Sequence, residues 1–307
     1  MYSSVLVPLD GSPLSERALD YAKPIVRGSG GRLTLVQAVH PGPSAGMDPA
    51  QAQINSIRAA ELAMTKHVAA LRAEGFRAER HIECGQPWDV ILRSIHKLKA
   101  DLVVMSTHGH SGLARVIYGA VADHVLRHSE APVLLIPLNC ERVWTGEAPR
   151  GVLLPLDGSA LAEEALPPAV GLAGSLNATI TLLQVVQPFP PPSPYEGVSA
   201  AFDAQAALTE ARDYLSTIQA SPAVSDLVVD KVALVGHPAA MICSEAEKEQ
   251  AAAIVMATHG RGGLARLVLG SVATSVLQAC RRPMLLVCPK AISGHLSHVH
   301  VLQASRI

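Results

Sequence analysis

Apolar residues along this chain gather into short unbroken runs separated by longer periodic stretches. VLVPL at 5–9, RLTLVQAV at 32–39, DLVVMST at 101–107 and PVLLIPL at 132–138 are such runs. Continuous apolar segments rich in valine, isoleucine and leucine predict strands buried on both faces. Residues 79–84 alternate and predict a weaker strand. Helical patterns fill the gaps. Gly11-Ser12-Pro13 marks a turn, and Pro13 suits the first turn of a helix running to about residue 28. Over 50–75, Ile54, Ile57, Met64, Val68 and Leu71 fall on one helical face. Gly85-Gln86-Pro87 starts a helix with Ile91, Ile95 and Leu98 on its apolar stripe, and residues 113–128 form another.

The whole pattern then repeats. Residues 5–19, VLVPLDGSPLSERAL, match residues 152–166, VLLPLDGSALAEEAL, at 11 of 15 positions. Residues 101–126 match 252–277 at 14 of 26 positions. The offset is 147 at Asp10 and Asp157 and 151 at Gly109 and Gly260. A period this long means two copies of a domain. The second copy has strands near 152–156, 179–186, 227–235, 252–257 and 284–288. The expected boundaries are 1–140 and 150–290, with a tail at 291–307. The junction at 139–151 reads as a polar stretch.

Strands alternating with helices predict an α/β fold with parallel sheets covered on both faces. Right-handed crossovers make each sheet doubly wound, or Rossmann-like. Ligands of such folds bind beyond the carboxyl ends of the strands, where strand order reverses. Asp10 and Asp157 follow a first strand. Ser106-Thr107-His108-Gly109 and Ala257-Thr258-His259-Gly260 follow a fourth. If strands one and four are neighbours, these motifs meet. Nine residues separate Gly109 from Gly119-Ala120, and nine separate Gly260 from Gly270-Ser271. Both lead into apolar helical stretches, whose first turns would offer unpaired N–H groups to a phosphate. The alternative is that these glycines only shape turns and caps.

Composition narrows the classes. With 25 basic and 26 acidic residues among 307, the net charge is −1, against a nucleic-acid footprint or a polybasic membrane patch. Aromatics are 3%, which disfavours base-stacking platforms. Hydrophobic residues at 49% and charged residues at 17% suit a folded two-domain chain. No apolar run approaches the ~20 residues of a membrane span, and the start lacks a secretory signal, so a cytoplasmic site is expected. The five cysteines include no CxxC pair and read as free thiols.

Taken together, the strand-one aspartate, the glycine loop and their duplication resemble the universal stress protein family in tandem form. The resemblance covers roughly 3–138 and 150–289. It implies two flavodoxin-like five-stranded parallel sheets of order 3-2-1-4-5, arranged as a pseudo-twofold pair. It also implies that the last strands, 132–138 and 284–288, pair with each other. The family signature is G-x2-G-x9-G-[S/T]. Ser106 and Ala257 replace its first glycine, where a Cβ would crowd a phosphate or ribose. Ala120 replaces the terminal hydroxyl in copy one, a loss on the order of 1 kcal/mol.

For the ATP-binding branch, the resemblance implies that Asp10 and Asp157, beside Pro8 and Pro155, read the adenine. Backbone groups at Ala38 and Val185 also contact it. His108, Gly109, Gly119, Ala120 and Val121, with His259, Gly260, Gly270, Ser271 and Val272, surround ribose and phosphates. Met105 and Met256 line the same crevice. The aspartates also read as turn or cap residues, and the loop histidines as backbone-bonded. Arg115 and Arg266 steer phosphates, pair across an interface or lie on a solvated face. His295, His298 and His300 in the tail lack a nearby carboxylate or cysteine to complete a metal site. The proline stretches 41–46 and 189–194 read as surface loops.

The expected function is a nucleotide-binding stress-response regulator. It would take ATP or a related adenine nucleotide, with or without Mg2+. It would act as a homodimer on an unidentified regulatory protein partner, with no nucleic acid or membrane involved. No Walker lysine or metal-binding carboxylate pair appears in the motifs, so any hydrolysis is expected to be slow. Two alternatives stay open. One is a nucleotide-independent interaction module. The other is an ATP-dependent activating enzyme, for which the SGGxDS-type loop is absent.

Overall fold

A computed structural model describes residues 1–39, 48–107, 119–140, 144, 151–188, 203–225, 227–258 and 269–288. The first copy runs β1 (Ser4–Pro8), α1 (Pro13–Glu16), α2 (Ala18–Ser29), β2 (Arg32–Val39), α3 (Pro49–Ala73), β3 (Arg77–Cys84), α4 (Pro87–Leu98), β4 (Leu102–Ser106), α5 (Ala120–His128) and β5 (Val133–Ile136). The second runs β6 (Gly151–Pro155), α6 (Ala160–Glu163), α7 (Leu166–Leu176), β7 (Thr179–Val186), α8 (Ala204–Gln219), β8 (Val229–Val235), α9 (Pro238–Lys248), β9 (Ala253–Ala257), α10 (Ser271–Ala279) and β10 (Met284–Val287).

The strands form one sheet in the order β3-β2-β1-β4-β5-β10-β9-β6-β7-β8. Each half is therefore the expected 3-2-1-4-5 arrangement. All pairings within a half are parallel. The halves meet where β5 and β10 pair antiparallel, with Leu134 opposite Leu285. This contact covers two strand edges that would otherwise expose unpaired backbone groups.

Side chains alternate across the sheet into two apolar layers. Val5 and Val7 enter the layer that holds Ile25, Met64 and Leu172, while Leu6 enters the layer that holds Ile91, Val125 and Ile254. Each layer runs through both halves. The halves also touch through α2 and α7.

Two details depart from the sequence expectation. The first helix is broken at Arg17, whose guanidinium donates to the carbonyls of Leu138 (2.8 Å) and Cys140 (2.7 Å). The junction read as polar also buries two side chains, Cys140 and Trp144. Trp144 meets the Tyr21 ring edge-on at 5.1 Å and donates its indole N–H to the Ala252 carbonyl at 3.2 Å. One residue of the junction thereby touches both halves. Among the described residues no helix is long and apolar enough to cross a membrane.

Candidate functional site

In each half the strand order reverses between the first and fourth strands, and the expected motifs sit at their carboxyl ends. Pro8 closes β1, and Asp10 follows in an exposed turn. Asp10 Oδ1 accepts from the Ser12 N–H (2.9 Å) and the Ser12 hydroxyl (2.5 Å). Ser12 in turn caps α1 by accepting from the Ser15 N–H at 3.2 Å. Gly11 between them has φ +80, a left-handed value that suits glycine. The second half repeats the device. Asp157 Oδ1 accepts from the Ser159 N–H (3.0 Å) and hydroxyl (2.6 Å), and Ser159 caps α6 through the Ala162 N–H. Both aspartates therefore hold a helix-entry turn, as their turn reading required. One carboxylate oxygen is committed to that role.

The glycine loops have closed bases. The Thr107 N–H donates to the Ile136 carbonyl at 3.0 Å, and the Thr107 carbonyl accepts from the Gly119 N–H at 2.7 Å. The Thr258 N–H donates to the Val287 carbonyl at 2.8 Å, and the Thr258 carbonyl accepts from the Gly270 N–H at 2.7 Å. Thr107 and Thr258 are both buried. These threonines anchor each loop to the neighbouring last strand, yet in the sequence they pass as spacers within the motif. Their duplication at the same motif position was the available signal.

Gly119 and Gly270 are the residues at which α5 and α10 begin. Both have extended backbone, and neither helix has a side-chain cap. The first-turn N–H groups of an α-helix have no carbonyl partner within the helix. Ala120 and Val121, and likewise Ser271 and Val272, supply those groups here. Ser271 is exposed, so its hydroxyl stands at the surface beside them.

The apolar candidates share a layer of the sheet with α5 and α10. Ala38, Met105 and Val121 belong to one layer of the sheet, as do Val185, Met256 and Val272. Met105 and Met256 are buried, while Pro8, Pro155, Ala38 and Val185 are half-buried. Ala257, at the position of the signature's first glycine, packs its methyl into the opposite layer from Met256. Its Cβ thus joins the core on the other face of the sheet. His108, Gly109, His259 and Gly260 lie outside the described residues. So do Arg115, Arg266, the proline stretches and the tail histidines.

A sequence model of the universal stress protein family matches residues 1–137 and again 149–287. The chain belongs to the universal stress protein family. Universal stress protein MJ0531 of Methanocaldococcus jannaschii is 32% identical over 143 residues, 44% of this chain and 82% of that protein. A universal stress protein of Mycolicibacterium smegmatis is 28% identical over 198 residues, 62% of this chain and 63% of its own length. The match therefore spans under two thirds of that relative. The crystal structure of a putative universal stress protein from Pseudomonas aeruginosa UCBPP-PA14 superposes with a TM-score of 0.69 over 97% of each chain, at 21% identity. That likeness establishes the fold. The two family matches place two universal stress protein units on one chain, in the order the sequence repeat required.

Proposed function

We propose that this universal stress protein is a regulatory adenine-nucleotide binder that takes ATP at the carboxyl-end crevice of one or both halves. The observation that carries the reading is the pair of uncapped helix starts at Gly119 and Gly270, each tied to a buried threonine beside an aspartate turn. Exposed N–H groups with the positive end of a helix dipole suit phosphate oxygens. In this reading Ala120 and Val121, or Ser271 and Val272, face the phosphates. Asp10 or Asp157 with the backbone of Ala38 or Val185 meets the adenine. His108, Gly109, His259 and Gly260 complete the loop around the ribose and phosphates. Mg2+ would enter with the phosphates.

The second half is the stronger site. Ser271 adds a hydroxyl donor that Ala120 lacks, worth on the order of 1 kcal/mol. Bound nucleotide would present a changed surface to a regulatory partner, a shift between states rather than a turnover cycle. We place the protein in the cytoplasm as a homodimer. The free thiols of the chain support that compartment.

The deciding experiment is mass spectrometry of nucleotide released on denaturation, paired with calorimetric titration of ATP. One nucleotide per chain, lost on Gly270→Ala with Ser271→Ala, is the expected result. Two per chain would mean that Ala120 is tolerated. No release and no binding heat would overturn the reading in favour of a nucleotide-independent interaction module.

A further inference from the structure

At the amino ends of the first-half strands, away from the carboxyl-end crevice, lies an open cleft of about 600 Å³. Its lining includes Ser3, Gly31, Arg32, Arg72, Arg77 and Glu79. That volume falls within the roughly 300–1,000 Å³ of small-molecule sites. Arg32 opens β2 and Arg77 opens β3, and the two are direct partners in the parallel ladder. Partnered residues share a face of the sheet, so the two side chains leave it side by side. Like charges so placed repel each other.

The protein does little to neutralise them. Among the described residues Arg32, Arg72 and Arg77 form no ion pair. Arg77 is exposed. Arg72, in the last turn of α3, spends its Nε on the Ala78 carbonyl at 2.9 Å and keeps both terminal nitrogens. Arg32 Nη2 makes two long bonds, to the Ser4 hydroxyl (3.4 Å) and the Leu98 carbonyl (3.3 Å). Its Nε is buried with no partner among the described residues. Glu79 lines the cleft without pairing with these arginines. Asp101, next to it, is occupied by the Ser3 N–H (2.7 Å), the Ser3 hydroxyl (2.6 Å) and the Ser4 N–H (2.9 Å).

The second half shows what the fold alone needs at these places. Gln219 stands where Arg72 does and donates to the Val229 carbonyl, the counterpart of Ala78, at 2.7 Å. Thr179 stands where Arg32 does, and Val228 where Arg77 does. A neutral amide therefore satisfies the carbonyl, and the strand starts require no charge. The three guanidiniums are an addition peculiar to the first half.

We propose that this cleft binds a diphosphate group, free or carried on a small organic ester. A guanidinium is a planar fork that matches phosphate oxygens two bonds at a time. Arg32 and Arg77 hold one phosphate between neighbouring strands, and Arg72 reaches the other from α3. The negative charge of the ligand relieves the repulsion between Arg32 and Arg77. The cleft is at the opposite strand ends from Gly119 and Gly270, so it stands or falls apart from the ATP reading.

The test is calorimetric titration of the full chain with inorganic pyrophosphate, without Mg2+ and at fixed ionic strength, because salt screens such contacts. Saturable binding is expected, weakened tenfold or more in Arg72→Gln with Arg77→Gln. Glutamine at 72 keeps a donor for the Ala78 carbonyl, as Gln219 does for Val229. The affinity should be unchanged in Gly270→Ala with Ser271→Ala. Methyl diphosphate, titrated alongside, distinguishes the sources: tighter binding than pyrophosphate assigns an organic ester, weaker binding the free ion.

A second measurement needs no variant. Phenylglyoxal modifies accessible arginines, and peptide masses report each site. Pyrophosphate should slow modification of Arg72 and Arg77 at least threefold and leave the exposed Arg58 unchanged. No saturable heat, an affinity untouched by the arginine substitutions, loss of binding in the Gly270 and Ser271 variant, or equal protection of Arg58 would each overturn the proposal.

Discussion

Gly28 of α2 lies directly against the backbone carbonyl of Ser175 on α7, in the opposite half of the chain. A Cβ at residue 28 would overlap that oxygen. Glycine inside a helix costs about 1 kcal/mol relative to alanine. Here that cost is offset by the close approach of two helices that join the halves. Gly28→Ala is therefore expected to lower stability by about 1–3 kcal/mol, despite its better helix propensity. Gly174 on α7 is the control. A Cβ there meets only the flexible Met1 side chain, at 3.8 Å. Gly174→Ala is expected to raise stability by up to about 1 kcal/mol. Urea unfolding of the two variants checks the opposite signs, and equal shifts would show that contact with Ser175 does not decide.

Trp144 makes a second link, through the Tyr21 ring and the Ala252 carbonyl. Trp144→Phe keeps an aromatic edge and loses the N–H, an expected cost of about 1 kcal/mol. Trp144→Ala also loses the buried ring and is expected to cost about 3–5 kcal/mol. The chain has two tryptophans, so Trp88→Phe leaves Trp144 as the sole indole reporter. In that background, fluorescence at the junction and far-ultraviolet circular dichroism should trace one coincident unfolding transition. Separate midpoints would mean that the halves unfold independently.

The strands were legible because parallel strands are apolar on both faces, and β1, β4 and β5 read as unbroken runs. The helix break at Arg17 was not. Residues 13–28 carry a continuous helical pattern, and Arg17 finds its carbonyl partners at Leu138 and Cys140, far along the chain. Nothing local in sequence reports such a partner. At the junction, charged neighbours outvoted a single large apolar residue, Trp144, which proves to be buried. The pairing of β5 with β10 came from family resemblance, since short apolar strands carry no signal of their partner's direction. At the site, Asp10 and Asp157 were found by repetition of Asp-Gly-Ser. Thr107 and Thr258 escaped because their contribution is a backbone carbonyl, which any residue type offers.

Asp157 allows its turn role to be separated from a ligand role. Asn at this position retains an oxygen for the Ser159 N–H and hydroxyl, while alanine removes it. Asp157→Asn is expected to stay within about 0.5 kcal/mol of wild-type stability, and Asp157→Ala to lose about 1–2 kcal/mol. If the carboxylate also reads adenine, both variants weaken ATP binding in the second half by about tenfold or more, which is ~1.4 kcal/mol. Calorimetry in an Asp10→Asn background isolates that half. An Asp157→Asn variant that binds ATP as tightly as its parent would confine the residue to its turn.

Thr34 and Thr181 hold equivalent places in β2 and β7, opposite Leu6 and Leu153. Thr181 donates its hydroxyl to Glu249, whereas the buried Thr34 hydroxyl has no hydrogen-bond partner among the described residues. Leu98 stands where Glu249 does. Thr34→Val removes an unpaired buried hydroxyl and is expected to raise stability by about 1 kcal/mol at every pH. Glu249 behaves differently. Burial raises its pKa above the ordinary 4.5, with Glu245 and Asp230 adding to the effect and Thr181 and Lys248 opposing it. It also caps the C-terminus of α9, where the helix dipole disfavours negative charge. A folded carboxyl with a raised pKa binds its proton more tightly than the unfolded chain does. Its favourable contribution is complete below pH 4.5 and is lost as pH rises through the folded value. At pH 7 the charge is a net cost. Glu249→Gln keeps an acceptor for Thr181 and should be more stable than wild type at pH 7, with the advantage fading toward pH 4. Urea unfolding across that range separates the two substitutions. A pH-independent gain for Glu249→Gln would mean that packing, and not the carboxylate charge, sets the cost.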